Sequence, residues 1–209
     1  EHSVYIFLWF LGKLASLNVE WVLKIRELDL SDCNLRTVPD MIGVLTNLKS
    51  LNVNGNDITY LPETMENLTQ LSELFISWNN LTSLPDSIGK ISQLQKLELY
   101  DNHLTRFPNS IVQLTHLKNI NLGGNDLSDL PNSIENLSNL ETLNLYGNFI
   151  GELPHEMFAS LFQKITSLIG LKEIILYYNN LTYLPDSIGE LTNLRKLHCN
   201  YNNLVSLPV

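Results

Sequence analysis

Few side chains in this sequence have the types and spacing that catalysis or metal binding requires. The five histidines are scattered, and two cysteines, Cys33 and Cys199, do not make a paired-cysteine metal site. His155-Glu156 resembles the start of a zinc-protease motif, but Ala159 stands where the second histidine should be. Gly123-Gly124 is an isolated pair and not a phosphate-binding loop. We therefore expect no enzyme activity, no cofactor and no metal.

The overall composition favours a folded protein that binds other proteins. Hydrophobic residues make up 44% of the 209 residues and charged residues 17%, which is enough apolar material for a packed interior. The formal net charge of -9 would repel phosphates. We therefore expect neither nucleic acid nor an anionic membrane surface as the partner. Glu1 is not a methionine, and the sequence stops within a repeat, so we expect a piece of a longer protein.

A repeat, mostly of 23 residues, accounts for most of the sequence. Aligning on Leu-x-x-Leu-x-Leu-x-x-Asn-x-Leu-x-x-Leu-Pro gives eight repeats, and positions below are counted from the first residue of each. The repeats start at Ile25, Leu48, Leu71, Leu94, Leu117, Leu140, Leu171 and Leu194. All eight prolines of the chain stand at position fifteen. A solenoid is therefore predicted, in which each repeat buries its apolar edge against its neighbours.

Each repeat position has a physical role. Leu97-Glu98-Leu99 alternates apolar and polar residues and predicts a brief strand. Position nine is asparagine, or Cys33 in the first repeat, and we expect its side chain to bond to its own turn and to the next coil. Proline suits the start of a short helical or 3₁₀ segment such as Asp86-Ser87-Ile88-Gly89.

This pattern resembles the leucine-rich-repeat family over roughly residues 25 to 209. The resemblance implies an α/β solenoid, a horseshoe with a parallel β-sheet on its concave face and short helical or 3₁₀ segments on its convex face. The segment Leu-Pro-Asp-Ser-Ile-Gly-x-Leu is similar to an intracellular 23-residue subgroup that includes Ras-scaffold, Ras-suppressor, plant Ras-group and bacterial effector-like repeat proteins. The resemblance alone implies a small GTPase or GTPase-linked partner, and a location in the cytoplasm, or in the host cytoplasm for an effector.

Two segments depart from the repeat. Residues 1-24 contain the most apolar run of the chain and are interpreted as an N-terminal capping segment, helical through about Ser16, with a membrane or secretory origin as the alternative. The sixth repeat carries eight extra residues, and its apolar residues predict a longer convex helix. Phe158 and Phe162 on this helix are candidates for a second docking surface. The alternative is a tolerated insertion.

The concave face carries the candidate binding residues, at positions that the repeat does not dictate. They are Phe75, Trp78, Glu98, Tyr100, Asp101, Tyr146, Ile175, Tyr177, Tyr178, His198 and Tyr201. Large exposed aromatic side chains are typical of binding hot spots. Alternatively, these rings only cover the sheet. The charged residues beside the first aromatic residues are acidic, whereas Lys172, Arg195, Lys196 and His198 border the last ones. We therefore expect the concave face to be acidic in its first repeats and more basic in its last ones.

Three functions follow from these observations. The leading hypothesis is a protein-interaction module, either a signalling scaffold or the targeting domain of a bacterial effector. The alternatives are the substrate-recognition domain of a larger enzyme, such as a ligase or kinase, and a fragment of an extracellular receptor. Cys33 and Cys199 are seven coils apart, too far for a disulfide, which favours a reducing compartment. Sequons such as those at Asn80 and Asn180 are ascribed to the repeat consensus, but glycans there would indicate the receptor.

Overall fold

A single parallel sheet runs along the whole described part of the chain. The computed structural model describes residues 21–208. The strands, β1 to β8 in chain order, are Glu27–Asp29, Ser50–Asn52, Glu73–Phe75, Lys96–Glu98, Asn119–Asn121, Thr142–Asn144, Glu173–Ile175 and Lys196–His198. They lie in the sheet in sequence order. Equivalent positions pair, as Leu74 does with Leu97, and the offset between partners is 23 residues except for the 31 between β6 and β7.

The strands comprise only positions three to five, and backbone hydrogen bonds between coils continue beyond them, as from Leu99 N to the Asn121 carbonyl and from Asp101 N to the Gly123 carbonyl. In β4 the side chain of Leu97 is buried, whereas Lys96 and Glu98 on either side are half-exposed. This alternation follows from the two-residue period of a strand. One face of the sheet therefore packs on the core, and the other is the concave surface of the horseshoe.

Short 3₁₀ segments close most coils on the convex side. They are Val22–Lys24, Asp40–Val44, Glu63–Asn67, Asp86–Lys90, Asn109–Gln113, Ile134–Asn136, Ile150–Glu152 and Asp186–Glu190. In five of these eight segments the predicted proline is the residue just before the segment, and the Pro85 carbonyl accepts a hydrogen bond from Ile88 N at 3.1 Å. The isoleucine that follows the proline by three residues is buried in repeats three, four, five and seven, as expected.

The extra residues of the sixth repeat form the predicted longer helix, α1, at His155–Thr166. The proposal that Phe158 and Phe162 form a docking surface is wrong, because these side chains are only 5% and 1% exposed. Their rings pack together at 4.7 Å between centroids and face the core. The helix presents Met157 to solvent, whereas Leu161 and Ile165, which follow it at helical spacing, are buried.

A single lysine ties α1 to the preceding coil. Lys164 Nζ lies 2.7 and 2.8 Å from the two carboxylate oxygens of Asp129 and donates to the Leu130 carbonyl at 2.7 Å. The lysine is largely buried, and three acceptors satisfy its charge. The helix is therefore held by packing on one face and by an ion pair at its edge.

The asparagines at position nine form a continuous ladder. Asn102 Nδ2 lies within hydrogen-bond distance of the carbonyls of Leu99 and Tyr100 in its own turn, and of Ile76 in the preceding coil. Its Oδ1 accepts from Leu81 N, also in the preceding coil. The prediction of a bond to the next coil was therefore wrong, because the asparagine bonds to the preceding coil. The turn of each coil leaves backbone groups that only the following asparagine reaches.

The predicted capping helix lies largely outside the described residues. Of residues 1-24, the structure describes 21 to 24, where Val22–Lys24 forms a 3₁₀ segment and Val22 is buried. Within residues 21–208, none of the helices combines the length and the apolar character that crossing a bilayer requires.

Candidate functional site

The backbone at position eight has the same unusual conformation in every repeat. Its φ is positive in all eight, from 53° at Asp32 and Tyr201 to 65° at Gly55. This left-handed conformation turns the chain away from the sheet after the strand. Glycine adopts it freely, whereas a side chain with a Cβ makes it costly by about 1–2 kcal/mol.

Three of these left-handed positions carry large aromatic residues. Glycine stands at three of the eight and aspartate at two, but Trp78, Tyr178 and Tyr201 occupy the others. Bulky residues rarely adopt a positive φ. These side chains are nevertheless 54%, 48% and 67% exposed, so burial in the core does not offset the strain. The fold uses this backbone conformation in every repeat, but it does not require a bulky side chain there. Residues held in such strained conformations are typical of functional sites.

The aromatic residues of the concave face are in contact with one another. We call the connected rings of Trp78, Tyr100, Tyr146, Tyr177, Tyr178 and Tyr201 the aromatic strip. Successive centroids lie 5.7, 5.9, 4.9, 6.1 and 4.6 Å apart. Edge-to-face and stacked pairs at such distances stabilise one another. The strip is therefore a preorganised surface that spans repeats three to eight.

The strip crosses the fifth repeat because that repeat has no side chain in the way. Tyr100 and Tyr146 belong to the fourth and sixth repeats, yet their rings stack over Gly123. A Cβ at Gly123 would lie 3.0 Å from Tyr100 Cδ2 and 3.1 Å from Tyr146 Cβ. The space left by the absent side chain of Gly123 is thus occupied by the two tyrosine rings.

Substituting Gly123 with valine is expected to separate these two rings. A branched side chain cannot share the space, and overpacking of this kind costs about 1–3 kcal/mol. We expect a weaker tyrosine signal in near-ultraviolet circular dichroism and a lower free energy of unfolding. Gly189→Val is the matched control, because a Cβ there has open space around it. Unchanged tyrosine dichroism in Gly123→Val would show that the rings do not depend on the glycine.

A groove of about 570 Å³ lies along the strip. This volume is within the range of about 300–1,000 Å³ typical of ligand pockets. Phe75 and Glu98 line the groove at position five. Phe75 lies under Lys96, whose Nζ is 4.9 Å from its ring centroid, and Glu98 accepts a hydrogen bond from Asn121 Nδ2 at 2.7 Å. Among the described residues, Phe75 has no ring contact with the strip.

The expected change from an acidic to a basic face is only half correct. Positions three, five and eight of the first four repeats carry one lysine, Lys96, and six carboxylates: Glu27, Asp29, Asp32, Glu73, Glu98 and Asp101. In the last four repeats Glu173 lies 3.5 Å from Lys196 Nζ and 3.0 Å from His198 Nε2. At these three positions the later half is thus balanced rather than basic, since Lys196 is paired with Glu173. Of the other expected cations, Lys172 pairs with Glu141, and Arg195 is exposed and donates to backbone carbonyls.

Two groups on the face have shifted pKa values. Burial, followed by the neighbouring Tyr146 and Asp101, raises the pKa of the Tyr100 hydroxyl above its ordinary value, so the phenol stays neutral. Hydrogen bonds from the Ser31 hydroxyl and backbone lower the pKa of Asp29, which keeps it ionised. Tyr100 therefore contributes a neutral phenol to the groove, and Asp29 contributes an ionised carboxylate to the first repeat of the face.

The remaining candidate residues, Ile175 and Asp101, lie at the edges of the strip. Ile175 is half-buried in β7, between Asn144 and His198 on the neighbouring strands. Asp101 is exposed beside Trp78, and Asn79 N donates to its carbonyl at 3.2 Å. Within residues 21–208, no three metal-ligating side chains lie close enough together to hold an ion.

One exposed aromatic residue near the concave face was missed by the sequence analysis. Phe149, at position ten of the sixth repeat, has a φ of 55° and lies half in solvent. The other repeats have asparagine, aspartate or histidine at this position. A phenylalanine among these polar residues could therefore have been recognised as an exception from the sequence. Its conformation accompanies the altered turn before α1, where Ile150–Glu152 forms a 3₁₀ segment.

Family models match most of the repeats. The model described as "Leucine-rich repeat region" matches residues 11–107, and the model described as "Leucine Rich Repeat" matches residues 116–137 and 139–161. No curated protein matches the chain.

Solved structures of repeat proteins resemble the chain over most of its length. A leucine-rich-repeat protein of Leptospira interrogans is 28% identical with a TM-score of 0.67, and the match covers 94% of this chain and 59% of that one. The plant peptide hormone receptor RGFR1, solved in complex with RGF2, is 27% identical with a TM-score of 0.61, and the match covers 87% of this chain. The chain thus spans 59% and 33% of the length of these two proteins.

Proposed function

Because the chain belongs to the leucine-rich-repeat family, we propose that it is a protein-interaction module that holds a protein or peptide partner against the aromatic strip. Proteins of this family are generally binding modules without catalytic activity. A partner on the concave face would contact several repeats at once. This agrees with the length of the strip, which covers six repeats or about 24 Å at 4.8 Å per strand.

The observation that carries the proposal is the strained aromatic residues at position eight. Glycine would satisfy the backbone there at no steric cost, as it does at Gly55, Gly124 and Gly147. Trp78 and Tyr178 instead combine strain with exposure of large rings to water. Aromatic anchors of this kind supply much of the binding energy at protein interfaces. Binding of a partner would explain why these side chains are present.

Within this function, we propose a signalling scaffold or the targeting domain of a bacterial effector, acting inside a cell. The similarity to a Leptospira repeat protein and the free state of Cys33 and Cys199 support this role. The subgroup resemblance of Leu-Pro-Asp-Ser-Ile-Gly supports a GTPase-linked partner. The likeness to a plant peptide hormone receptor favours the second candidate, an extracellular receptor fragment. Glycans on Asn80 or Asn180, both exposed, would decide for that candidate.

The double variant Trp78→Gly/Tyr178→Gly is expected to reduce the amount of partner captured from cell lysate at least tenfold. Two hot-spot aromatics are worth about 2 kcal/mol or more each in binding. Tyr60→Ala is the matched control, because this tyrosine is equally exposed but lies at position thirteen, off the strip. Equal capture by wild type and the double variant would refute the proposed function.

Two substitutions of Trp78 separate the effect of backbone strain from the effect of losing the ring. Trp78→Gly is expected to be about 1 kcal/mol more stable to denaturant than Trp78→Ala, because only alanine keeps the strained Cβ. Both variants lose the same ring, so both should lose the partner. If alanine proved as stable as glycine, position eight would not be strained, and the argument from strain would fail.

A further inference from the structure

We propose that the partner docks as an extended peptide segment with an arginine or lysine side chain, held by the Trp78 and Tyr100 rings and by the carboxylates of Glu98 and Asp101. This inference rests on the proposed function and names the chemistry of the partner. The aromatic strip supplies the contact area, and the acidic first half of the face supplies the selectivity for a cation.

The first evidence is the uneven charge of the concave face. Six carboxylates and one lysine lie at positions three, five and eight of the first four repeats, whereas one carboxylate and one lysine lie there in the last four. A potential of one sign attracts partners of the opposite sign and fixes their register. A basic side chain of the partner is therefore directed to the Trp78 end of the strip.

The second evidence is that this charge is largely unpaired. Lys96 Nζ lies 3.3 Å from Glu98 Oε1, but across residues 21–208 neither Asp101 nor Glu73 has a Lys or Arg within ion-pair distance. Asp101 lies close enough to Tyr100 to help raise the pKa of its hydroxyl. Asp101 is thus exposed beside the rings without a counter-ion, and a cation from the partner would supply one.

The third evidence is that this face already binds a cation on an aromatic ring. Lys96 Nζ lies 4.9 Å from the centroid of Phe75 while it pairs with Glu98. Trp78 and Tyr100 stand edge to face at 5.7 Å, so one ring presents its face beside the edge of the other. Tryptophan binds cations through its face more strongly than other aromatic residues do. Lys96 therefore displays, on the same two repeats, the kind of contact that we propose for the partner.

The fourth evidence indicates that the cation is part of a peptide rather than a small amine. The groove is lined by residues from Asn54 in the second repeat to Tyr178 in the seventh, which is longer than a small amine could fill. Asn54 Oδ1 and Asn144 Oδ1 accept from Ser77 N and Tyr146 N, but in the described part of the chain neither amide nitrogen donates to a protein atom. Both amides line the groove and can donate to peptide carbonyls.

A display library of random linear 12-residue peptides tests the inference. We expect arginine or lysine to be enriched in the peptides that wild type selects. Replacing that residue by glutamine in the tightest peptide should weaken its binding at least tenfold. The variant Glu98→Gln/Asp101→Asn should weaken binding of the original peptide by a similar factor. The matched control Glu63→Gln/Asp86→Asn makes the same change in net charge on the convex 3₁₀ segments and should bind as wild type does.

The outcomes separate this inference from the proposed function. Selected peptides without basic enrichment that still lose binding to Trp78→Gly/Tyr178→Gly would overturn the cationic partner and leave the concave function standing. Equal weakening by the convex control would also overturn it, because the attraction would then come from net charge alone. Failure to select any peptide, or selection of peptides that bind the Trp78→Gly/Tyr178→Gly variant normally, would overturn the inference of an extended peptide on the strip. The proposed function, which includes folded protein partners, is decided separately by the capture experiment.

Discussion

Asn179→Ala is expected to lower the free energy of unfolding by about 4 kcal/mol, because several buried backbone groups lose their partner at once. Asn179 is fully buried, and its Oδ1 accepts from Asn148 N at 3.0 Å and Ile150 N at 3.2 Å. Its Nδ2 lies 2.7 Å from the Leu145 carbonyl and 3.0 Å from that of Leu176. It also joins the two coils on either side of α1, where the repeat spacing changes to 31 residues.

Asn202→Ala provides the control at the exposed end of the ladder. Asn202 makes the equivalent bonds, including acceptance from Asn179 N and Leu181 N, each at 3.0 Å, but its surroundings are only partly buried. Water can replace the lost amide there, so we expect a loss of about 1 kcal/mol. Both free energies are measured by urea unfolding. Similar losses in the two variants would mean that burial does not determine how much a ladder asparagine stabilises the fold.

Phe162→Ala is expected to lower the free energy of unfolding by about 4 kcal/mol, the size typical of a buried phenylalanine that leaves a cavity. The ring packs against Phe158, which in turn lies 5.0 Å from Tyr183 between centroids. This cluster joins α1 to the seventh repeat, so its loss should loosen the helix first. Hydrogen exchange of the α1 amides would report that loosening.

Met157→Ala is the control for this prediction. It truncates a side chain on the same helix that is 39% exposed, and such changes usually alter stability by about 0.5 kcal/mol or less. If Phe162→Ala were as stable as Met157→Ala, the phenylalanine cluster would not be what holds α1 against the seventh repeat.

The sequence predicted the features that depend on side-chain pattern along one coil. The periodic leucines predicted the core, and every position-fifteen proline from Pro39 to Pro185 directly precedes a 3₁₀, turn or α-helical segment. The repeat spacing also placed Trp78 and Tyr178 on one face, because equivalent positions of stacked coils align. These predictions succeed because each coil repeats the same local physics.

Features that depend on backbone torsion or on contacts between distant coils were not predictable. Alternation alone would make position eight a strand residue, but the strands are three residues long and the left-handed turn follows them. The sequence did not show that Phe158 is buried and Met157 exposed on α1, because the docking of the helix on the preceding coil, with Lys164 paired to Asp129, sets its rotation. The meeting of Tyr100 with Tyr146 requires two repeats and the missing side chain of Gly123.

The uniform torsion at position eight makes the surface interchangeable from coil to coil. Every repeat presents this residue from the same backbone geometry, so a side chain that suits one coil can be transplanted to another coil that leaves room for its Cβ. Gly147 has the most room of the three glycines there, since a Cβ added to it would come no closer than 3.9 Å to a neighbouring atom. Specificity in this protein can therefore change by single substitutions, each adding or erasing one contact point while the coil beneath it stays the same.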